Sequence, residues 1–332
     1  MNHSTSEANH PRPPPDVVAL GESMLTLRTH PNQAAFEWEV SGAESNVARY
    51  CAALGIQTSW VSQVGTDLAG DLVLSVIEGA GVDVSRVGRL SDHQTGLMLK
   101  EAAADALRVR YYRASSAAAA MAPPIGAEVG RGPKILHLTG ITLGLSCTCN
   151  ELVRSLIEDR SRSALISFDI NWRPSVWAQG DPSNELREIA DQCDIVFVGL
   201  DEANDLWGAN TADDVRALLP HPETVVTKDA DNGAHADLSG RTYFVPALNG
   251  PVVEPIGAGD AFAAGFLVGV LRYDNVEIAL RLGHITAMSA LSQQNDVGPI
   301  ADDATIQRLL DLSSEEWLSA SLDLTATRDV VL

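Results

Sequence analysis

Short, largely apolar runs recur along this chain at intervals too long for hairpins. Val17–Leu20, Ile135–Leu138, Leu165–Ile170, Asp194–Val198 and Thr224–Thr227 each read as a strand, with helix-like spacing over Asn150–Glu158 between two of them. A strand buried on both faces needs apolar residues at every position, which is the condition inside a parallel sheet. Strands separated by helices are joined by right-handed crossovers. The expected fold is therefore α/β, a doubly wound, mainly parallel sheet flanked by helices. With 332 residues, 45% of them hydrophobic, the chain has ample material for one large domain, expected over 16–325.

Two stretches break this rhythm. From Thr95 to Arg113 the period falls to two, and TGLMLKEA and ALRVRYYR read as an antiparallel hairpin joined by an Ala/Asp turn. Met24 to Val40 also alternates, loosely, and carries Phe36 and Trp38. Segments at about 24–40 and 94–114 are thus expected to form a small β lid. Elsewhere, Val47, Tyr50, Cys51 and Leu54 share a helix face that stops at Gly55, and Ser59–Val64 reads as one strand. Thr66 or Asp67 then caps a helix expected to turn Leu68, Leu72, Val76 and Ile77 inward, Asp67 being mainly structural.

The chemistry concentrates in VEPIGAGDAFAAGF, Val253 to Phe266. Glycines on both sides of Ala258 allow a tight turn, and the apolar residues that follow have the spacing of a buried helix. The free N–H groups of Ala258, Gly259 and Asp260 would then face whatever lies above the helix start, which favours an anion such as phosphate. A carboxylate at that point repels the anion, but it suits a group that takes a proton from an attacking hydroxyl. The plainer reading is a strand-to-helix turn capped by Asp260. Three further groups are candidates. Tyr111 and Arg113, two apart on a strand, share a face and suit a carboxylate, which arginine grips with two hydrogen bonds. Asn171 and Arg173 follow the C-terminal end of a strand, where open α/β sheets place ligands, with Asp169 closer to the sheet. Gly42 and Asn46 offer a close backbone approach and an amide to hydroxyl groups.

GAGDAFAAGF resembles the signature of the ribokinase-like (PfkB) sugar kinases, and similar stretches run through nearly the whole chain. Ser41-Gly42-Ala43 ahead of Asn46 is similar to the Gly-Gly-X-X-X-N entry to that family's sugar site, with serine at the first position. Tyr111-X-Arg113 followed by SSAAAAMAPP is similar to the 2-keto-3-deoxygluconate kinase branch, where Tyr-X-Arg binds a sugar-acid carboxylate and Asp296 matches a late substrate-binding acid; DINWRPSVW is similar to the Asp-X-Asn-X-Arg-X-X-Leu-Trp of sugar-acid kinases and fructokinases. The resemblance implies ATP and Mg²⁺ as cofactors. Asp260 becomes the base, with the amides of Gly257, Ala258 and Gly259 around the transferring phosphate, and Arg173 holds substrate or phosphate. Asn171, Thr227, Lys228, Gly233 and His284 fall on the nucleotide side, although a surface-helix histidine is the plainer reading of His284. Glu202 supports a magnesium water or is simply an exposed acid early in a helix. The chain departs from the pattern at Glu254-Pro255, where Asp-Thr is usual, and at Gly199, where Asn is usual; the first departure bears on any monovalent-cation dependence. The implied activity is phosphorylation of a primary hydroxyl of a sugar acid. Alternatives are a fructokinase- or ribokinase-like enzyme for a neutral sugar and a catalytically idle sugar sensor.

The net charge of −21 argues against nucleic acid or an anionic membrane as a partner. Of Cys51, Cys147, Cys149 and Cys193 only Cys147 and Cys149 are close in sequence, a weak metal signal against the plainer reading of free thiols, which fits a reducing cytoplasm. MNHSTSEANHPRPPP reads as a disordered leader over 1–15, and no apolar run approaches the length of a membrane span. An apolar lid face is expected to pair with a second copy in a homo-oligomer.

Overall fold

The computed structural model describes residues 14–29, 35–102, 107–130, 132–159, 161, 163–177 and 181–325. The leader expected at 1–15 lies almost wholly outside them. Strand β1 (Val17–Leu20) opens the fold, and the chain then leaves the main sheet for β2 (Met24–Thr29) and β3 (Phe36–Ser41). It returns through helix α1 (Ala43–Ala53) to β4 (Thr58–Val61), and continues through β5 (Gln63–Gly65), α2 (Leu68–Gly79) and β6 (Gly88–Leu90) to a second excursion, β7 (Leu97–Ala102) and β8 (Leu107–Tyr112). After the short α3 (Gly126–Val129) the β-α alternation becomes regular. It runs through β9 (Ile135–Thr139), α4 (Gly140–Leu145), α5 (Cys147–Glu158), β10 (Leu165–Asp169), α6 (Pro182–Ala190), β11 (Ile195–Gly199), α7 (Leu200–Trp207), α8 (Ala212–Leu218) and β12 (Thr224–Asp229). An antiparallel pair, β13 (Gly233–Leu238) and β14 (Arg241–Pro246), precedes α9 (Ala258–Arg272), α10 (Val276–Leu291), α11 (Asp303–Leu310) and α12 (Ser314–Ser319).

The main sheet has the order β14-β13-β12-β11-β10-β9-β1-β4, parallel except at β13 and β14. Its strands are apolar on both faces because helices cover both. Val17, Ile135 and Phe197 pack under α1, α9 and α10, while Val18, Leu136 and Phe168 pack against α5 and α6 on the other side. Each such side chain contributes about 1.5–3 kcal/mol on burial, so this double cover fixes the sheet. From β1 the chain crosses to β4 at one edge, whereas from β9 it proceeds to β10 and the opposite edge. The two connections part between β1 and β9, and ligand sites of open α/β sheets form beyond the strand ends at such a point.

The two excursions, the segments expected to form a lid, combine into one four-stranded sheet, β3-β2-β7-β8. The register β2–β7 and β7–β8 puts Thr26, Met98 and Tyr111 side by side, with Arg28, Lys100 and Val109 in the next row on that face. Two local expectations need correction. Ser59–Val64 is not one strand: β4 pairs with β1 but β5 pairs with β6, and the chain changes partner at Ser62. In α2 the fully buried apolar residues are Val73 and Ile77, whereas Leu68 is 72% exposed. Asp67 caps this helix by accepting from the Gly70 amide at 2.8 Å, and it also accepts from the amide and hydroxyl of Thr95, which fixes the start of the lid hairpin.

Candidate active site

The start of α9 is shaped by Gly257, whose φ of +83° suits glycine and whose missing Cβ would lie 2.6 Å from the Asp296 carbonyl oxygen. The Ala258 amide is not free as expected, because it donates to the Pro255 carbonyl at 3.3 Å. The open donors at this helix start are therefore those of Gly259 and Asp260, which have no carbonyl one turn back within α9. Lys228 Nζ lies 3.3 Å from where a Cβ on Gly259 would be, so the ammonium stands beside the helix start that carries these two amides. Burial works against the Lys228 charge, but the carboxylates of Asp169 and Glu202 outweigh it and hold the ammonium above its usual range. Its direct partner is Asp169 Oδ2 at 2.9 Å, which gives Asp169 a positioning role.

Asp260 occupies the floor of the cleft beside this spot. Asn46 Nδ2 donates to its Oδ2 at 2.9 Å and Asn171 Nδ2 to its Oδ1 at 3.2 Å. Desolvation by the surrounding protein outweighs the Asn46 bond and pushes the carboxyl up to about 7, the range of a working general base. Asn171 reaches it from a left-handed backbone at φ 38°, a strained conformation for a residue other than glycine. The side-chain oxygens of both asparagines, with Arg113 Nε, are buried and have no hydrogen-bond partner among the described residues. Polar atoms are rarely buried unpaired, so these point to a polar guest.

The cleft above Asp260 has a volume of about 970 Å³ and is continuous from the lid to the β12–β14 edge. At the lid end it is lined by Gly42, Asn46, Tyr111, Arg113 and Asp296, as the sequence pattern anticipates, and also by Met98 and Glu22. Sequence reasoning passed over Glu22, although its place just after β1 is where a ligand contact belongs. Its buried carboxylate meets Arg113 Nη2 at 2.5 Å and accepts from the Ser116 hydroxyl. Arg113 also lies 5.7 Å from the Tyr111 ring centre, so the two do converge, but the guanidinium already has an internal counter-ion.

At the other end the walls include Lys228, Gly233, Asn249, Val252, Phe262 and His284. Thr227 is not among them: it is buried within β12, opposite His235, and does not line the cleft. His284 is not a surface residue. It donates through Nε2 to the Val245 carbonyl at 3.1 Å and sits edge-on to Phe262 with ring centres 5.1 Å apart. Burial lowers it to about 4, so it is a neutral ring. Gly233, at φ 142°, lets the chain pass tightly against β14. Glu202 is also buried in part. One oxygen accepts from the Gly199 amide at 3.0 Å and the other from the Trp172 amide at 3.1 Å and from Arg173 at 3.2 Å. A glycine at 199 thus leaves a capped helix start, and Glu202 spans α7 and the Asn171–Arg173 turn. Among the described residues no cluster of three or more His, Cys, Asp or Glu could hold a metal ion.

The family model described as pfkB family carbohydrate kinase matches residues 15–303. The chain is 33% identical over 295 residues to a 2-dehydro-3-deoxygluconokinase of Bacillus subtilis (strain 168), covering 84% of this chain and 90% of that one. It is 28% identical over 300 residues to the Escherichia coli (strain K12) protein of the same name, covering 85% and 97%. A PfkB protein from Polaromonas sp. JS666 superposes with a TM-score of 0.78 at 29% identity, over 89% of this chain and 99% of that one.

Proposed function

The chain belongs to the pfkB family of carbohydrate kinases, and within that family we propose that it phosphorylates the primary hydroxyl of a sugar acid, with 2-keto-3-deoxygluconate (2-dehydro-3-deoxygluconate) the leading acceptor and ATP the donor. The observation that carries the reading is the pairing of a carboxyl raised to about 7 with an amide and ammonium cluster at one helix start. Asp260 takes the proton from the acceptor hydroxyl, whose oxygen forms a bond to the γ-phosphorus while the bond to the β-phosphate oxygen breaks. The Gly259 and Asp260 amides and Lys228 face the charge that develops on the transferring group, and ADP leaves. The unpaired oxygens of Asn46 and Asn171 accept from sugar hydroxyls. Tyr111 and Arg113 close the carboxylate end, and Arg173, half-exposed on the cleft wall, is the further cation.

Among the described residues there is no cage of ligating side chains for Mg²⁺. The carboxylates of Asp169 and Glu202 already accept protein donors, so their fit is to a hydrated ion carried on the nucleotide phosphates and met through water. When bound, Mg²⁺ would neutralise phosphate charge. Two further proposals concern the protein's surroundings. Phe36, Trp38 and Tyr112, all more than half exposed on the outer lid face, would be covered by a second copy of the chain. Free thiols at Cys51, Cys147 and Cys149 suit a cytoplasmic setting. Nothing in the site calls for nucleic acid, and no helix among the described residues is long and apolar enough to cross a membrane.

One observation favours a neutral acceptor: Glu22 already balances Arg113. Substitution decides between the readings. If Arg113 grips a carboxylate, Arg113→Ala lowers kcat/KM for 2-keto-3-deoxygluconate by about ten- to a hundredfold, the loss of a charge-assisted hydrogen bond, and changes fructose or ribose phosphorylation much less. Equal losses on acid and neutral sugars would assign the acid preference elsewhere.

A further inference from the structure

Lys100 lies in lid strand β7 with its side chain wholly buried, behind the wall of the cleft and not on it. An ammonium stripped of water persists only where carboxylates replace the lost hydration. Its Nζ lies 2.8 Å from Glu39, 2.8 Å from Asp296 and 3.5 Å from Glu254. Arg28 of β2 completes the group, 2.6 Å from Glu254 and donating to the Gln294 carbonyl. Burial opposes the Lys100 charge, but Asp296 and Glu39 outweigh it and hold the ammonium above its usual range. The acids come from three places: lid strand β3, the approach to α9, and the loop after α10.

Asp296 is the link from this group to the reaction. Lys100 holds its Oδ1, while Oδ2 stands 3.5 Å from Asn46 Nδ2, the same nitrogen that donates to Asp260 at 2.9 Å. A continuous chain of polar contacts therefore runs from the lid sheet to the base.

We propose that Lys100 is a positioning residue for phosphoryl transfer, fixing Asp296 on the acceptor side of the cleft and, through Asn46, the carboxylate of Asp260. This rests on Asp260 as the base. A lysine that served lid architecture alone would act independently of Asp296 and would disturb nucleotide and acceptor subsites alike. Lys100→Met, Asp296→Asn and the double variant, which restores the charge balance, are compared for kcat/KM toward 2-keto-3-deoxygluconate and for the KM of ATP, with Asp260→Asn measured alongside. Each single variant is expected to lose about tenfold or more in kcat/KM for the acceptor, with KM for ATP within about threefold. The double variant should fall no more than about twofold below Asp296→Asn. If Lys100→Met does not fold, the comparison of the double variant with Asp296→Asn carries the test. Losses that multiply, a parallel rise in KM for ATP, or a double variant that fails to fold would overturn the proposal. Near-normal turnover of Asp260→Asn would instead remove the base and leave the Lys100–Asp296 coupling standing by its own cycle.

Discussion

Asp260 is raised to about 7 because desolvation outweighs the Asn46 hydrogen bond, and this sets two opposite pH dependences. A base works only when deprotonated, so kcat/KM for the acceptor should fall about tenfold per unit as pH drops below about 7. A profile flat down to pH 5 would remove Asp260 from that role. For stability the sign runs the other way. A carboxyl whose folded pKa lies above its unfolded value binds more protons in the native state, so it costs stability progressively as pH rises from about 4 to about 7. Asp260→Asn should therefore raise the thermal midpoint more at pH 8 than at pH 4, while turnover falls about a hundredfold or more. A midpoint gain that does not change with pH would mean that the carboxyl is not held in its neutral form by the fold.

The same division between local and distant causes explains what the chain's elements disclosed in advance. Apolar runs and stop signals suffice to place β1, β9, β10, β11, β12, α1 and α5, since each is defined by its own residues. The break at Ser62 was not legible, because it depends on β6 pairing with β5, and neither was the outward turn of Leu68, which depends on what packs over the start of α2. Lys100 reads from sequence as an ordinary solvated residue on an alternating strand. Only the fold brings Glu39, Glu254 and Asp296 to it. The GAGD turn was legible, yet its tightness was not: Gly257 faces the backbone of Asp296, which cannot swing aside as a side chain would. Gly257→Ala must then bear a positive φ and a clash with fixed atoms, for a cost of about 2–4 kcal/mol. It should lower the unfolding free energy by that amount and raise KM for ATP as the helix start is displaced. Unaltered KM for ATP in a destabilised variant would place the phosphate site away from α9.

For the molecule as a whole the question is which part of the lid moves. A hairpin inserted in a β-α chain is expected to have few long-range contacts and to close as one piece over bound sugar. The ionic group at Arg28, Glu39 and Lys100 changes that expectation, because it ties the lid sheet to Glu254 and Asp296 of the main body. Breaking a buried pair of this kind costs about 3–5 kcal/mol, well above what closing on one sugar need spend. The root of the lid should then stay fixed, as should Arg113 just past β8, which buried Glu22 holds to the main body; closure should be confined to β8 itself, where Tyr111 faces the cleft. Amide hydrogen exchange tests this directly. Saturating 2-keto-3-deoxygluconate should slow exchange in β8 by about tenfold or more, while amides of β2 and of β7 around Lys100 stay equally protected with and without the sugar. Slowing spread evenly over both excursions would mean that the whole sheet closes as a unit and that the ionic group travels with it, and unchanged exchange throughout would make the sheet a static wall.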